Sequence, residues 1–99
     1  MGLSDTEITA ALSKLPGWTF DGNAIVRSFR LPSFPDAIAF VTRIAFDAES
    51  HDHHPDLQVS YRNVTVKWTT HSDGGVTEKD LTGARETDLA WARYPPDRA

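Results

Sequence analysis

The chain's four histidines fall in one short span: His51, His53 and His54 are packed into Glu49-Ser-His-Asp-His-His-Pro55, and His71 sits in Thr-Thr-His-Ser-Asp-Gly-Gly. Imidazole exchanges its proton nearest neutral pH of all side chains, so this grouping beside carboxylates points to acid and base work. His53, His54 and His71 are the candidate acids and bases. Glu49 and Asp52 are neighbouring carboxylates that could fix an imidazole tautomer, and Asp80 stands at a predicted helix start. Turn histidines without a chemical role are the plainest alternative reading. Three imidazoles and a carboxylate would also suit zinc. Adjacent His53 and His54 in an extended segment point to opposite faces, however, and no histidine pair has the i,i+4 spacing of two ligands on one helical face. A nucleophilic triad has less support, because no Ser or Thr lies in a recognisable strained elbow and the chain has no cysteine.

These residues have to be positioned by what surrounds them. Ser4 and Glu7 form a capping box, with Leu3 and Ile8 as its hydrophobic staple, so a helix should begin at about Asp5 and end at Pro16-Gly17, burying Ile8, Ala11, Leu12 and Leu15. From Trp18 the period becomes two. Asp21-Gly22 reads as a two-residue hairpin turn that sets Trp18 against Ile25 and Phe20 against Asn23. Trp18, Phe20, Ile25 and Phe29 then share one side of a sheet. Ser33 is a helix cap with Pro35 in the first turn, and Ala37, Phe40, Val41, Ile44, Ala45 and Ala48 form the apolar stripe of a long central helix. That helix delivers Glu49 and His51 to its C-terminal end. Pro55 stops it and restricts His54 to an extended backbone.

A second hairpin follows, with Leu57, Val59 and Tyr61 on one strand and Val64, Val66 and Trp68 on the other. An Arg62-Asn63 turn would pair Tyr61 with Val64, Val59 with Val66 and Leu57 with Trp68. The same register sets Pro55 against Thr70 and His54 against His71, about 5 Å apart. After Asp73-Gly74-Gly75, a flexible turn, Thr77 and Asp80 form another capping box, with Val76 and Leu81 as its staple. The last helix is interrupted by Gly83 and Asp88, so it is expected to pack on one short face and to fray, and the tail from Tyr94 to be disordered or loosely docked. The order helix, strand, strand, helix, strand, strand, helix predicts an α+β domain of two layers, a four-stranded antiparallel sheet with three helices on one face.

With 99 residues, the sequence is expected to form a single domain over 1–99 with a thin core, and such cores are often completed by pairing with further copies of themselves. Hydrophobic residues at 39% and charged residues at 24% exclude wholesale disorder. A net charge of −4 with singly scattered basic residues gives no footprint for nucleic acid or for an anionic membrane. No apolar run is long enough to span a bilayer, and the N-terminus lacks the regions of a signal peptide, so a cytoplasmic location is the expectation.

Glu49-Ser-His-Asp-His-His-Pro55, Tyr61 and Val64, Thr70-His71, and Val76-Thr-Glu-Lys-Asp80 together resemble the signature of the pterin-4a-carbinolamine dehydratases, over nearly the whole chain. The resemblance implies elimination of water from 4a-hydroxytetrahydropterin, the product of aromatic amino-acid hydroxylases, to give quinonoid dihydropterin without a metal or other cofactor. It implies that His53 and His71 act as acid and base, that His54 holds the pterin, and that Glu49 and Asp52 support them. Pro55, Thr70 and Asp80 would complete the substrate site. It also implies a homodimer or homotetramer, with a hydroxylase as functional partner. Members of the family serve in animals as a dimerisation cofactor for a homeodomain transcription factor, which makes a non-catalytic assembly module the second reading. The chain carries Leu57 where the family commonly has an aromatic, and His51 is not part of the motif.

Overall fold

The structure, a computed structural model, describes residues 2–94. Its first helix, α1 (Asp5–Leu12), starts where the cap predicts: the Ser4 amide donates to Glu7 Oε1 at 2.9 Å, and the Glu7 amide donates to Ser4 Oγ at 3.1 Å. Donation from Ser4, its amide first and then its side chain, favours the charged carboxylate and holds Glu7 below its ordinary value. The hairpin β1 (Thr19–Asp21) and β2 (Ala24–Arg30), the central helix α2 (Phe34–His51), the hairpin β3 (Asp56–Ser60) and β4 (Asn63–Trp68), and the last helix α3 (Glu78–Trp91) follow. The strands form one antiparallel sheet in the order β1-β2-β4-β3, with the predicted α+β layering.

Both hairpins turn one residue away from the expected place. The first pairs Phe20 with Ile25 and Asp21 with Ala24, so its turn is Gly22-Asn23 and not Asp21-Gly22. Gly22, at φ +69°, takes the one positive dihedral, and Asp21 is spared a left-handed conformation. The second pairs Val59 with Val64 and Ser60 with Asn63, so Tyr61-Arg62 turns in place of Arg62-Asn63, and Tyr61 carries φ +54°. A tertiary contact overrides the preference of Asn: the Leu31 amide donates to the Arg62 carbonyl at 2.9 Å, and Arg62 Nη1 donates to the Pro32 carbonyl at 3.2 Å. Each correction shifts the cross-strand pairing by two residues, an even number, so no side chain changes face. Ile25, Phe29, Val64, Val66 and Trp68 are all buried as expected.

The core lies between this sheet face and the helices. Ala37, Phe40, Ile44 and Ala48 of α2 are buried, whereas Ala45, at the edge of the predicted stripe, is exposed. α3 departs most from its expected character. It neither frays at Gly83 nor packs on a short face: Leu81, Gly83, Ala84, Thr87 and Ala90 are buried along its length. Gly83 is the contact point and not an interruption, since a Cβ there would lie 2.6 Å from the Trp68 ring. Trp68 Nε1 donates to Thr87 Oγ1 at 3.2 Å, one turn further on. Asp88 is equally structural. It accepts from Trp18 Nε1 at 3.0 Å and from Arg27 Nη1 at 3.0 Å, while the Arg27 guanidinium lies 4.6 Å from the Phe29 ring centroid and 4.9 Å from that of Trp91. Tyr94 packs edge-on against Phe40, and the rest of the predicted tail lies outside the described residues.

Two predictions follow from α3. In an exposed helix Gly→Ala is stabilising by up to about 1 kcal/mol. Gly83→Ala should have the opposite sign, costing about 1–3 kcal/mol in urea unfolding, because the methyl group must displace the Trp68 ring. Burial pushes the Asp88 carboxyl up from its ordinary value, against the lowering effects of Trp18 and Arg27. A carboxyl raised on folding binds its proton more tightly in the native state. Its contribution is therefore fully present below the unfolded value and is lost as pH rises through the folded one. Asp88→Asn should remove that fall from the pH dependence of unfolding free energy.

Candidate active site

The exit of α2 sets the site. Asp52 caps the helix in the left-handed region at φ +50°, tolerable for Asp, and the His53 amide donates to the Ala48 carbonyl at 3.2 Å. This reversal separates the three clustered histidines. His51 stays on the last turn of the helix, His53 swings back over the end of the sheet, and His54 faces solvent ahead of Pro55 and β3.

Each of the three holds a different carboxylate. His51 Nε2 lies 2.7 Å from Glu86 Oε1, joining α2 to α3, and His54 Nε2 lies 2.8 Å from Glu49 Oε1 on the outside. Both pairs are largely exposed and are worth little to stability. The His53 pair is different in kind. Its Nε2 is 2.6 Å from Oδ1 of Asp80, whose side chain has no solvent exposure, and its ring stacks on Trp68 with centroids 5.4 Å apart and an interplanar angle of 25°. Asp80 Oδ2 accepts from the Thr70 hydroxyl at 2.8 Å and from the Thr77 amide at 2.9 Å. One carboxylate therefore serves as both the helix-capping group and the partner of His53, and the two readings of Asp80 hold together.

The fold thus assembles His53, Asp80 and Thr70 from the predicted set, with Thr77 added. It does not set His54 against His71. Continued past Asp56–Lys67, the observed register places His53 opposite Thr70, because the second turn lies one residue earlier than expected. His71 begins a 3₁₀ turn, His71–Asp73, directly after Thr70, and its ring is exposed. Glu49 and Asp52 are also exposed, and Pro55 is half-buried at the start of β3. Among the described residues no group of three His, Asp or Glu side chains converges as a metal ion would require.

A cleft of about 220 Å³ opens between α2 and α3 beside His53. Trp68 and Ala48 line its apolar part, and His51, Lys79 and Glu86 its polar part. It is the size of a small heterocycle and below the range of drug-sized pockets, ~300–1,000 Å³. His51, which the motif does not include, thereby becomes a wall residue. Lys79, Thr82 and Glu86 were legible in principle, since spacings of three and four place them on one helical stripe. The pairing of Glu86 with His51 was not, because the two are distant in sequence.

Known proteins resemble this chain in sequence and in fold. A family model described as pterin 4 alpha carbinolamine dehydratase matches residues 1–90. A protein of Roseiflexus sp. (strain RS-1), provisionally named a pterin-4-alpha-carbinolamine dehydratase, is 52% identical over 86 residues, 87% of this chain and 92% of its own. A similarly named protein of Mycobacteroides abscessus is 49% identical over 91 residues, 92% of this chain and 97% of its own. A crystal structure from Brucella melitensis described as a transcriptional coactivator/pterin dehydratase superposes with a TM-score of 0.88 at 40% identity, covering 92% of this chain and 99% of that one. A pterin dehydratase-like protein described as a RuBisCO assembly factor in the alpha-carboxysome shares the fold alone, at TM-score 0.60 and 18% identity, over 74% of this chain and 84% of that one. No described helix is long and apolar enough to cross a membrane. With a buried Asp80–His53 pair beside the Thr70-His71 block, and the family's signature matched over residues 1–90, the chain belongs to the pterin-4a-carbinolamine dehydratase family.

Proposed function

We propose that this chain eliminates water from 4a-hydroxytetrahydropterin to give quinonoid dihydropterin, by acid and base catalysis at His53 and His71, in the recycling of a tetrahydropterin oxidised by an aromatic amino-acid hydroxylase. The carrying observation is the fixing of His53 by a fully buried carboxylate, one hydrogen bond from the residue that precedes His71. Breaking the C4a–O bond requires a proton on the departing oxygen, and forming the C4a=N5 bond requires loss of the N5 proton. Two imidazoles meet both needs within a turnover. In this reading His54, exposed and bonded to Glu49, holds the pterin from the solvent side. No step calls for a bound metal or cofactor. Association into a dimer or tetramer belongs to the same reading.

The second reading is an assembly module on this fold. Phe46 of α2 and Leu89 of α3, 72% and 70% exposed, favour it as unpartnered apolar side chains on the helical layer.

The test is the rate of dehydration of chemically generated 4a-hydroxytetrahydropterin in chelator-containing buffer. His53→Gln retains an N–H for Asp80 but has no group that exchanges a proton near neutral pH. It should remain folded and slow dehydration by about 10² or more, as should His71→Ala. A wild-type rate no faster than buffer would overturn the enzyme reading and leave the assembly module.

A further inference from the structure

Asp80 spends its oxygens unequally. Oδ2 accepts from two donors, the Thr70 hydroxyl and the Thr77 amide, and Oδ1 faces His53 Nε2 alone. The directions of the neighbouring bonds follow by counting protons. Thr70 has a single hydroxyl hydrogen and gives it to Asp80, so the 2.8 Å contact between the two threonine hydroxyls is a donation from Thr77 to Thr70. Thr77 Oγ1 in turn accepts from the Lys79 amide at 3.2 Å. Every proton in this buried chain points toward Asp80. Its carboxylate has only acceptors to offer, so the proton between it and His53 sits on Nε2.

We propose that Thr70 and Thr77 are positioning residues that lock His53 in its Nε2–H tautomer, so that His53 exchanges protons with the substrate through Nδ1. Thr70, expected from sequence to touch the substrate, is 4% exposed, and its hydroxyl is committed within the network. Thr77, expected only as a helix cap, is 8% exposed and supplies both an amide and a hydroxyl proton. Nδ1 bonds to none of the described residues, and the His53 side chain retains 15% of its surface in the open. This refines the dehydratase reading and rests on it for the step itself. As the N5–H bond breaks, its electrons form C4a=N5, its proton passes to the Nδ1 lone pair, and the 4a-oxygen leaves as water with a proton from the His71 side. Asp80 then faces an imidazolium, which its charge stabilises.

The experiment has two arms. In the first, ¹⁵N-labelled wild type without substrate is examined by long-range ¹H–¹⁵N correlation at a pH where His53 is neutral. A pyrrole-type Nε2 and a pyridine-type Nδ1 are expected. A pyrrole-type Nδ1 would overturn the proposal whether or not the protein is a dehydratase. In the second, Thr70→Val and Thr77→Val should move the His53 spectrum toward a tautomer mixture and lower kcat roughly 10-fold or more, part of the 10²–10⁴ that a positioned acid or base supplies. KM should hold, and Thr70→Ser, which restores the hydroxyl, should recover both signals. A raised KM at unchanged kcat would return Thr70 to the role of a substrate contact, and an unmoved His53 spectrum in the Val variants would remove both threonines from the assignment. If the wild type lacks dehydratase activity while the first arm gives the expected tautomer, the enzyme reading fails and the proton network stands.

Discussion

A carboxylate with no access to water is costly unless its oxygens are bonded, and the fold around Asp80 is arranged so that they are. The bonds come from three places: the exit of α2 through His53, the end of β4 through Thr70, and the N-cap of α3 through Thr77. Removing one donor leaves part of a buried charge unanswered, at a cost of about 1–3 kcal/mol or more. The geometry of the His53 imidazole is therefore inseparable from the closure of this end of the molecule. No buried side-chain polar atom among the described residues lacks a partner, as such a network requires.

The opposite part of α3 is fixed by different chemistry. Asp88 joins Trp18 and Arg27, and Arg27 lies over Phe29 and Trp91. Between the two anchors, Gly83 admits the Trp68 ring, whose face carries His53. The indole thus links core packing to the site: it is covered by α3 and stacks on the imidazole. A helix with poor apolar periodicity is held along its whole length because its small residues allow the sheet to approach closely, and its polar residues are bonded.

The likeness to other proteins bears on fold and site differently. A shared fold at 18% identity with a RuBisCO assembly factor carries no chemistry, since folds are reused for unrelated tasks. What distinguishes this chain as a candidate enzyme is local. His53 occupies a partly buried position, oriented by a fully buried carboxylate, that a scaffold has no need of, and His54 pairs with Glu49 where solvent and small molecules reach it.

The sequence by itself determined the element order, both capping boxes, the inward face of every strand and the block of histidines at the end of α2. These depend on local rules: capping geometry, periods of two and 3.6, and the restriction that Pro55 places on its neighbour. It also placed Asp80 at a helix cap, but not the second partner of that carboxylate. Only the tertiary structure decided which histidine turns inward, because that follows from the left-handed dihedral at Asp52 and from the Trp68 face onto which the ring falls. The tertiary structure also moved the second turn to Tyr61-Arg62, where bonds to Leu31 and Pro32 outweigh the local preference of Asn63. Continued outward, the register shifted by that one-residue change sets His53, and not Pro55, against Thr70. Faces survive such a shift because strand periodicity is two, but identities across the sheet do not, and the site is made of identities.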